Sequence, residues 1–319
     1  MERHQVALYV AAIGVGVLAG WWVPGAGSWE VAINPVLGML LYATFLAVPF
    51  VSLGRAVADT RFLVSVLVLN FLVVPVIVFG LSRVVAADEA LVLGVLLVLL
   101  APCVDYVIVF SGLAGGAADR LLAAAPLLML AQMLLLPVYL WAIAGAEAVS
   151  LVEAGPFVEA FLVLIVIPLA AAAATQAMGR RFAAARRAER VMSAAMVPLM
   201  MATLFTVIAS QVRGAGEQVG TLIAVVPVYV AFLVVMVPIG MAAARVAGLD
   251  TRASRALVFS GATRNSLVVL PLALALPASL ALTPLVVVTQ TLVELVGMVV
   301  FVHLIPRLLP DIAVPARSA

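Results

Sequence analysis

The sequence of 319 residues has little charge, a single cysteine and no lysine. Only 10% of its residues are charged, whereas 66% are hydrophobic. Because a soluble domain is typically only about half apolar, this composition excludes a soluble fold. The single cysteine, Cys103, excludes a disulfide within the chain and a zinc site built on paired cysteines. We therefore predict an integral membrane protein with no resident metal.

Sequence motifs of enzymes are also absent. The chain has no H-E-x-x-H, no G-x-S-x-G and no aspartate-rich diphosphate motif. Its two histidines, His4 and His303, fall near the edges of predicted membrane spans. The remaining charges lie mostly in short connecting loops, which does not indicate nucleic-acid binding. We predict a protein that is not an enzyme, carries no cofactor and has the lipid bilayer as its main surroundings.

Long apolar runs are what the sequence has in abundance. A bilayer leaves no water for unpaired backbone groups, so only helices and closed barrels span it, and a spanning helix needs about twenty residues. The runs here are continuous rather than alternating, which indicates helices. We predict an all-α membrane protein with ten transmembrane spans, at residues 5–22, 31–51, 62–85, 90–113, 120–144, 157–178, 191–211, 220–246, 255–276 and 282–305.

The arginines predict the orientation of these spans. Fourteen arginines fall on one side and only Arg83 and Arg213 on the other. Because basic loops stay in the cytoplasm, both termini are expected there. The four tryptophans fall near the outer interface under this topology, as an aromatic belt does: Trp21, Trp22, Trp29 and Trp141. We predict a multi-pass protein of the plasma or inner membrane.

The ten spans divide into two halves of five. Residues 1–145 form the predicted first repeat and 157–319 the second, joined through the loop 146–156 within one domain, 1–319. An odd number of spans per repeat places the halves in opposite orientations. The segment NPVLGMLLYATF of span 2 resembles VPLMMATLFTVI of span 7. Two inverted five-helix repeats are therefore expected.

Three charged residues fall deep inside the predicted spans, away from their ends: Asp105, Arg264 and Glu294. A charge at bilayer depth costs about 2.5–3.5 kcal/mol even on the mildest scales. Such residues usually face a cavity or a partner. All three are candidates for a transport site or for a buried ion pair.

Spans 4 and 9 are each predicted to be broken near the middle of the membrane. Pro102 removes a backbone donor in span 4, and Gly261 begins a polar cluster in span 9. Broken, crossing helices supply freed backbone groups to substrate sites in transporters with inverted repeats. In an extended break, residues two apart share a side, so Cys103 and Asp105 would line one cavity. Asn265 and Ser266 are expected to line the second break.

The segments APCVDYVIVFSGLAGG, FSGATRNSLVVLPLALA and TQTLVELVGMVVF carry a family resemblance. They resemble the bile acid/arsenite/riboflavin transporter superfamily, and most of all its arsenical-resistance permeases. The resemblance implies a transporter with two crossing, broken helices. In the arsenite branch a cysteine of the fourth span is regarded as essential, and this position corresponds to Cys103. It implies arsenite efflux, with the metalloid held at Cys103.

The sequence also departs from the arsenite branch in the ninth span. That branch usually has a glutamate two residues after an asparagine, whereas Asn265 is followed by Ser266 and Leu267. Arg264 stands where a small polar residue is usual, and Glu294 matches a family acid in the tenth span. Proton coupling is therefore assigned to Asp105 or Glu294.

Arsenite chemistry fits this assignment. Trivalent arsenic is mostly an uncharged trihydroxide at neutral pH, so no large charge has to be dehydrated. The thiolate is the reactive form of cysteine, and one cysteine can hold thiophilic arsenic reversibly. A nearby carboxylate could exchange the proton that couples efflux to the proton gradient. Arsenite export by proton antiport is the leading hypothesis.

Other interpretations stay open from sequence. Cys103 can instead be a small packing residue, and Asp105 with Arg264 a structural ion pair between the crossing helices. The alternative function is a symporter of a small organic anion, similar to bile acid symporters, in which Arg264 binds a carboxylate. The coupling ion would then be H⁺ or Na⁺. A homodimer is one alternative for the oligomeric state, which the sequence leaves open.

Overall fold

The computed structural model describes residues 5–47, 59–104, 106–150, 159 and 162–310. The described residues form helices joined by short turns and contain no strand, only one isolated bridge between two residues. The predicted all-α class is confirmed. The described helices are α1 Gln5–Trp22, α2 Ile33–Ala47, α3 Thr60–Val85, α4 Glu89–Leu99, α5 Tyr106–Leu113, α6 Ala118–Ser150, α7 Ile167–Gly179, α8 Ala183–Glu217, α9 Val219–Val246, α10 Thr251–Ala262, α11 Ser266–Leu274 and α12 Thr283–Leu308.

Six helical segments among the described residues are long and apolar enough to cross a membrane. This agrees with a multi-pass membrane protein, whose spanning helices need about twenty apolar residues. Two shorter apolar helices, Ala11–Trp22 and Glu89–Leu99, accompany them. The six segments are Ala26–Leu46, Thr60–Val85, Ala118–Gly145, Ala183–Ser210, Gly220–Val246 and Thr283–Leu308.

Polar residues set where several helices begin. The side chains of Asp59, Asp88 and Asp250 accept backbone N–H bonds at the starts of α3, α4 and α10. Asn265 does the same for α11 by accepting from Val268 at 3.3 Å. Such caps satisfy donors that the first turn of a helix leaves unpaired. These few polar side chains therefore divide an apolar chain into defined helices.

The helices pack in two groups. The first consists of α1, α2, α7 and α8, and the second of α3–α6 with α9–α12. The groups touch where α11 packs against α2 and α8 against α9. Within the second group α4 lies close to α12, and the glycine at position 94 permits this contact. A Cβ added to Gly94 would lie only 2.6 Å from a methyl of Val286. The boundary between the two groups of helices therefore runs along α11.

Four helix ends meet within the second group. Helix α4 ends at Leu99 and α5 begins at Tyr106, whereas α10 ends at Ala262 and α11 begins at Ser266. Residue 105 and the residues 151–156 of the expected connection lie outside the described residues. The division into two inverted repeats stays a prediction.

One turn of α3 departs from regular α-helix. Residues Leu69–Val73 form a π-helical turn, and Asn70 lies in it, fully buried. Turns of this kind often occur at functional sites. The π turn belongs to the segment that faces α10.

Candidate functional site

The two segments between helices run antiparallel, side by side. The N–H of Cys103 donates to the carbonyl of Thr263 at 3.3 Å, and the N–H of Asn265 donates to the carbonyl of Ala101 at 2.7 Å. Pro102 lies between the bonded residues of its segment and has no N–H to donate. Backbone groups released by the helix ends are therefore satisfied across the pair. We call these two segments, 100–104 and 263–265, the crossing.

Arg264 extends its guanidinium from the crossing into a set of oxygens. Its Nη2 donates to the side-chain oxygen of Asn70 at 2.8 Å and to the carbonyls of Ser260 and Gly261 at 2.7 Å each. Its Nη1 lies 3.4 Å from the carbonyl of Leu99. The side chain is completely buried. These oxygens come from α3, α4 and α10.

Neighbouring groups fix the geometry of these oxygens. The amide nitrogen of Asn70 donates to the carbonyl of Val66 and the hydroxyl of Ser260, both at 3.0 Å. Its oxygen is thereby left to face the guanidinium. The aromatic ring of Phe232 lies 5.4 Å from the guanidinium carbon, within the range of a cation–π contact. The π turn, which carries Asn70, thus holds a preset acceptor for Arg264.

Glu294 lies on α12 and contacts the main chain of the crossing. Its Oε2 accepts the backbone N–H of Arg264 at 2.8 Å and a bond from the amide of Gln290. Its Oε1 bonds to the hydroxyl of Tyr106, the first residue of α5. The carboxyl group is 1% exposed. It therefore joins α12, the crossing and α5.

The hydroxyl of Tyr106 faces two acceptors at once. It lies 2.8 Å from the carbonyl oxygen of Arg264 and within bonding distance of Glu294. A phenol carries only one hydrogen, so it donates to one of the two at a time. Which one it selects depends on whether Glu294 can itself donate.

A small cavity of about 10 Å³ lies beside the crossing, where α8 meets α11 and α12. Three of the lining residues carry a hydroxyl group. The hydroxyl of Thr291 donates to the hydroxyl of Ser266 at 2.7 Å. The hydroxyl of Thr203 bonds to the carbonyl of Leu199 in its own helix. None of the lining residues is charged: Thr203, Leu204, Val207, Ile208, Ser266, Leu270, Val287, Val288 and Thr291. In this conformation the cavity has room for about one water molecule, and its described lining offers hydroxyl groups but no charge.

The predicted site residues fall in different parts of this arrangement. Cys103 lies in the crossing and is 1% exposed, while Ser266 lines the cavity. Asp105 lies outside the described residues. Gly261, expected at a helix break, lies inside α10, and the non-helical segment starts at Thr263. A Cβ at Gly261 would lie 2.7 Å from a methyl of Leu69, so this glycine allows close packing of α10 on α3.

Sequence reasoning passed over Tyr106 and Gln290, and it did not pair Asn70 with Arg264. Tyr106 and Gln290 bond to Glu294, and Asn70 bonds to Arg264. Gln290 and Glu294 are four residues apart on an apolar helix, and this spacing could have indicated their hydrogen bond. The partners of Asn70 and Tyr106 depend on tertiary packing, which no local pattern reports.

No group of three or more His, Cys, Asp or Glu side chains able to hold a metal occurs in the described part of the chain. The candidate site consists of the backbone bonds of the crossing, the buried Arg264 and Glu294, and the hydroxyl-lined cavity.

Comparison with known proteins identifies the family. Residues 34–222 match the family described as the Sodium Bile acid symporter family. This match covers more than half of the chain, including Cys103, and ends before Arg264 and Glu294. No curated protein matches the chain. The chain belongs to the sodium bile acid symporter family, which confirms the predicted superfamily and indicates a membrane solute transporter rather than an enzyme.

Proposed function

We propose that this protein exports arsenite by proton antiport across the inner membrane. The observation that carries this proposal is that the described residues lining the cavity beside the crossing carry no charge. Once the helices move apart enough to admit a solute larger than water, the hydroxyls of Thr203, Ser266 and Thr291 offer it hydrogen bonds without a countercharge. The neutral trihydroxide of arsenic is a solute of this kind. Membership of a transporter family supports the general activity.

Cys103 is the proposed ligand for arsenic. It is the only thiol of the chain and lies in the crossing, bonded through its backbone to Thr263. A thiolate binds soft, thiophilic elements, and a single thiol permits release. The burial of Cys103 requires the crossing to open for the solute to reach it. Loading of the thiol is then tied to movement of the helices.

Glu294 is the proposed proton carrier. When ionised, it accepts the hydrogen of Tyr106, which leaves the carbonyl of Arg264 without that bond. When protonated, it can donate to Tyr106, which can then donate to the Arg264 carbonyl. The carboxyl also faces the backbone N–H of Arg264 and the side-chain amide of Gln290. Protonation thus exchanges the bonds that join α5 and α12 to the crossing. Asp105, the second predicted proton group, remains part of the proposal.

The proposed topology has ten transmembrane spans. In this arrangement α4 and α5 form one broken span, and α10 and α11 form another. Residues 1–145 and 157–319 are the proposed inverted repeats, with both termini in the cytoplasm. The antiparallel bridge between Pro102 and Arg264 supports a pairing of the two breaks.

The second candidate is symport of a small organic anion with sodium or protons. The buried cation Arg264 favours it, since guanidinium binds carboxylates well. However, the guanidinium already donates to Asn70 and to carbonyl oxygens of the protein. An anion would have to displace these bonds. Arsenite export is therefore the better-supported candidate.

Arsenite accumulation in everted membrane vesicles tests the proposal. Respiring vesicles that contain the wild type are expected to accumulate arsenite, and Cys103→Ser vesicles are expected to show only the background of empty vesicles. Ser82→Ala is the matched control, because Ser82 is a buried small residue at the end of α3, bonded to Phe79. Equal accumulation by Cys103→Ser would exclude the thiol. No accumulation by wild type that is present in the membrane would exclude arsenite and favour organic anions.

A further inference from the structure

The guanidinium of Arg264 is surrounded by oxygens rather than by acids. Three are main-chain carbonyls, of Leu99, Ser260 and Gly261, and the fourth is the amide oxygen of Asn70. We call these four atoms the oxygen cage. They belong to three different helices, so the cage exists only when α3, α4 and α10 are packed together.

The oxygen cage has the chemistry of a site for a monovalent cation. Carbonyl and amide oxygens replace the hydration shell of hard cations in proteins and in channel filters. The cage contains no basic atom, so it does not repel a cation. The side chain of Asn70 is held in place by its own bonds to Val66 and Ser260. The oxygens are therefore preset to receive a cation.

The positive charge has no ion pair in the described part of the chain. The carboxylate of Glu294 bonds to the backbone N–H of Arg264, and salt bridges among the described residues involve Arg120 instead. A buried charge without such compensation is expensive. The oxygen dipoles and the ring of Phe232 stabilise it at close range, and the carboxyl of Glu294 adds a charge interaction without a side-chain ion pair. A residue kept at this cost is expected to have a role that needs its charge.

We propose that Arg264 is a built-in cation that fills, in this chain, a site suited to a mobile monovalent cation. The protein then needs no sodium at the crossing, although its family is described by sodium symport. Removal of the guanidinium leaves a vacant cation site. This inference goes beyond the proposed function, because it concerns the cation at the crossing and holds for any transported solute.

Thermal unfolding of the purified protein in detergent tests the inference without a substrate. The Tm of the wild type is expected to be the same in sodium and in choline chloride. Arg264→Ala is expected to unfold several degrees lower, and millimolar guanidinium is expected to raise its Tm saturably. Urea is the matched probe, because it is planar and of similar size but uncharged. It is expected to give no saturable rise.

Two further variants locate the effect. Arg245→Ala removes an exposed arginine at the end of α9, and guanidinium is expected to leave its Tm unchanged. Adding Asn70→Ala to Arg264→Ala removes one cage oxygen, so more guanidinium is expected to be needed for the same rise. An unchanged guanidinium response in the double variant would place the effect elsewhere and overturn the proposal.

A comparison of two other substitutions covers the case in which Arg264→Ala does not fold. Arg264→Lys keeps a cation, whereas Arg264→Met keeps a long side chain without charge. Burial alone favours methionine, since replacing a buried charge by an apolar group is often stabilising. The oxygen cage instead predicts the higher Tm, or the higher folded yield, for Arg264→Lys. The reverse order, a guanidinium response no larger than that to urea, or a saturable sodium response of the wild type would each overturn the inference.

Discussion

The carboxylate of Glu294 accepts the backbone N–H of Arg264 at 2.8 Å, while the guanidinium of the same arginine bonds to oxygens of α3, α4 and α10. A titratable acid thus bonds to the main chain of Arg264, while the guanidinium bonds elsewhere, without a side-chain ion pair. Glu294 controls the main chain of the crossing, and the arginine side chain joins the surrounding helices. Changes at the two positions should therefore have different consequences.

Glu294→Gln is expected to abolish arsenite accumulation driven by a pH gradient. Glutamine keeps the shape and can still accept the Arg264 N–H, so the fold should be retained. It cannot exchange a proton, which removes the proposed coupling. Uptake into everted vesicles with an imposed pH difference measures this, and Thr289→Ala on the same helix is the control. Persistent acceleration by the pH gradient in Glu294→Gln would contradict a coupling role.

Tyr106→Phe is expected to lower both stability and the response to pH. The lost hydroxyl removes the one hydrogen that the carbonyl of Arg264 and the carboxyl of Glu294 share, and a buried acceptor left unsatisfied costs about 1–3 kcal/mol. Tyr229→Phe is the control, because Tyr229 is also buried but donates to the carbonyl of Val286, away from the crossing. The Tm should fall in both variants. The pH profile of transport should change only in Tyr106→Phe, and an unchanged profile there would remove Tyr106 from the coupling.

Gly94→Ala is expected to destabilise the contact of α4 with α12. The added Cβ would lie 2.6 Å from a methyl of Val286 and 3.2 Å from the carbonyl of Thr283. Overpacking of this kind costs about 1–3 kcal/mol. Gly80→Ala on α3 is the matched control, because its Cβ meets nothing within 4 Å and alanine favours helix. Equal Tm values for the two variants would show that α4 can shift freely on α12.

Asp250→Asn is expected to reduce stability at neutral pH but not in acid. Burial alone would raise the pKa of Asp250, but the N–H of Ala253 and the charge of Arg120 together lower it from its ordinary 3.8. A carboxyl with a lowered pKa stabilises the fold above its ordinary value, and this contribution disappears as the pH falls below it. The effect should be small, because the side chain is 53% exposed. Unfolding scans over pH measure it.

A second variant isolates the contribution of Arg120, whose Nη2 lies 2.9 Å from Asp250 and whose Nε lies 3.2 Å from Asp59. In an Arg120→Gln background, Asp250→Asn should cost less stability than in the wild type. An additive result would mean that the backbone N–H groups of Ala253 and Arg252 account for the effect.

The helical class and the membrane location could be predicted from composition and apolar runs. Both follow from the solvent, since hydrocarbon forces the backbone into helices. Pro102 lies between α4 and α5, and proline cannot donate the backbone bond that a continuous helix needs. That it breaks a membrane span stays a prediction. The number of membrane crossings and the inverted repeats remain predictions.

The hydrogen-bond partners within the candidate site could not be predicted from the sequence. The sequence identified Arg264 and Glu294 as buried charges, but the partners of both come from residues far away in the chain, such as Asn70 and Tyr106. The expected break at Gly261 is displaced to Thr263, because α10 continues through its close contact with Leu69. Such details depend on how helices pack, which periodicity does not encode. Asp105 stays a prediction.

The crossing is joined by main-chain atoms, through the N–H groups of Cys103 and Asn265 and the carbonyls of Thr263 and Ala101. A peptide group is the same whatever side chain it carries. Mutations can therefore alter the chemistry displayed at this point while the scaffold that displays it stays intact. New solute preferences can evolve here one side chain at a time, without a new fold.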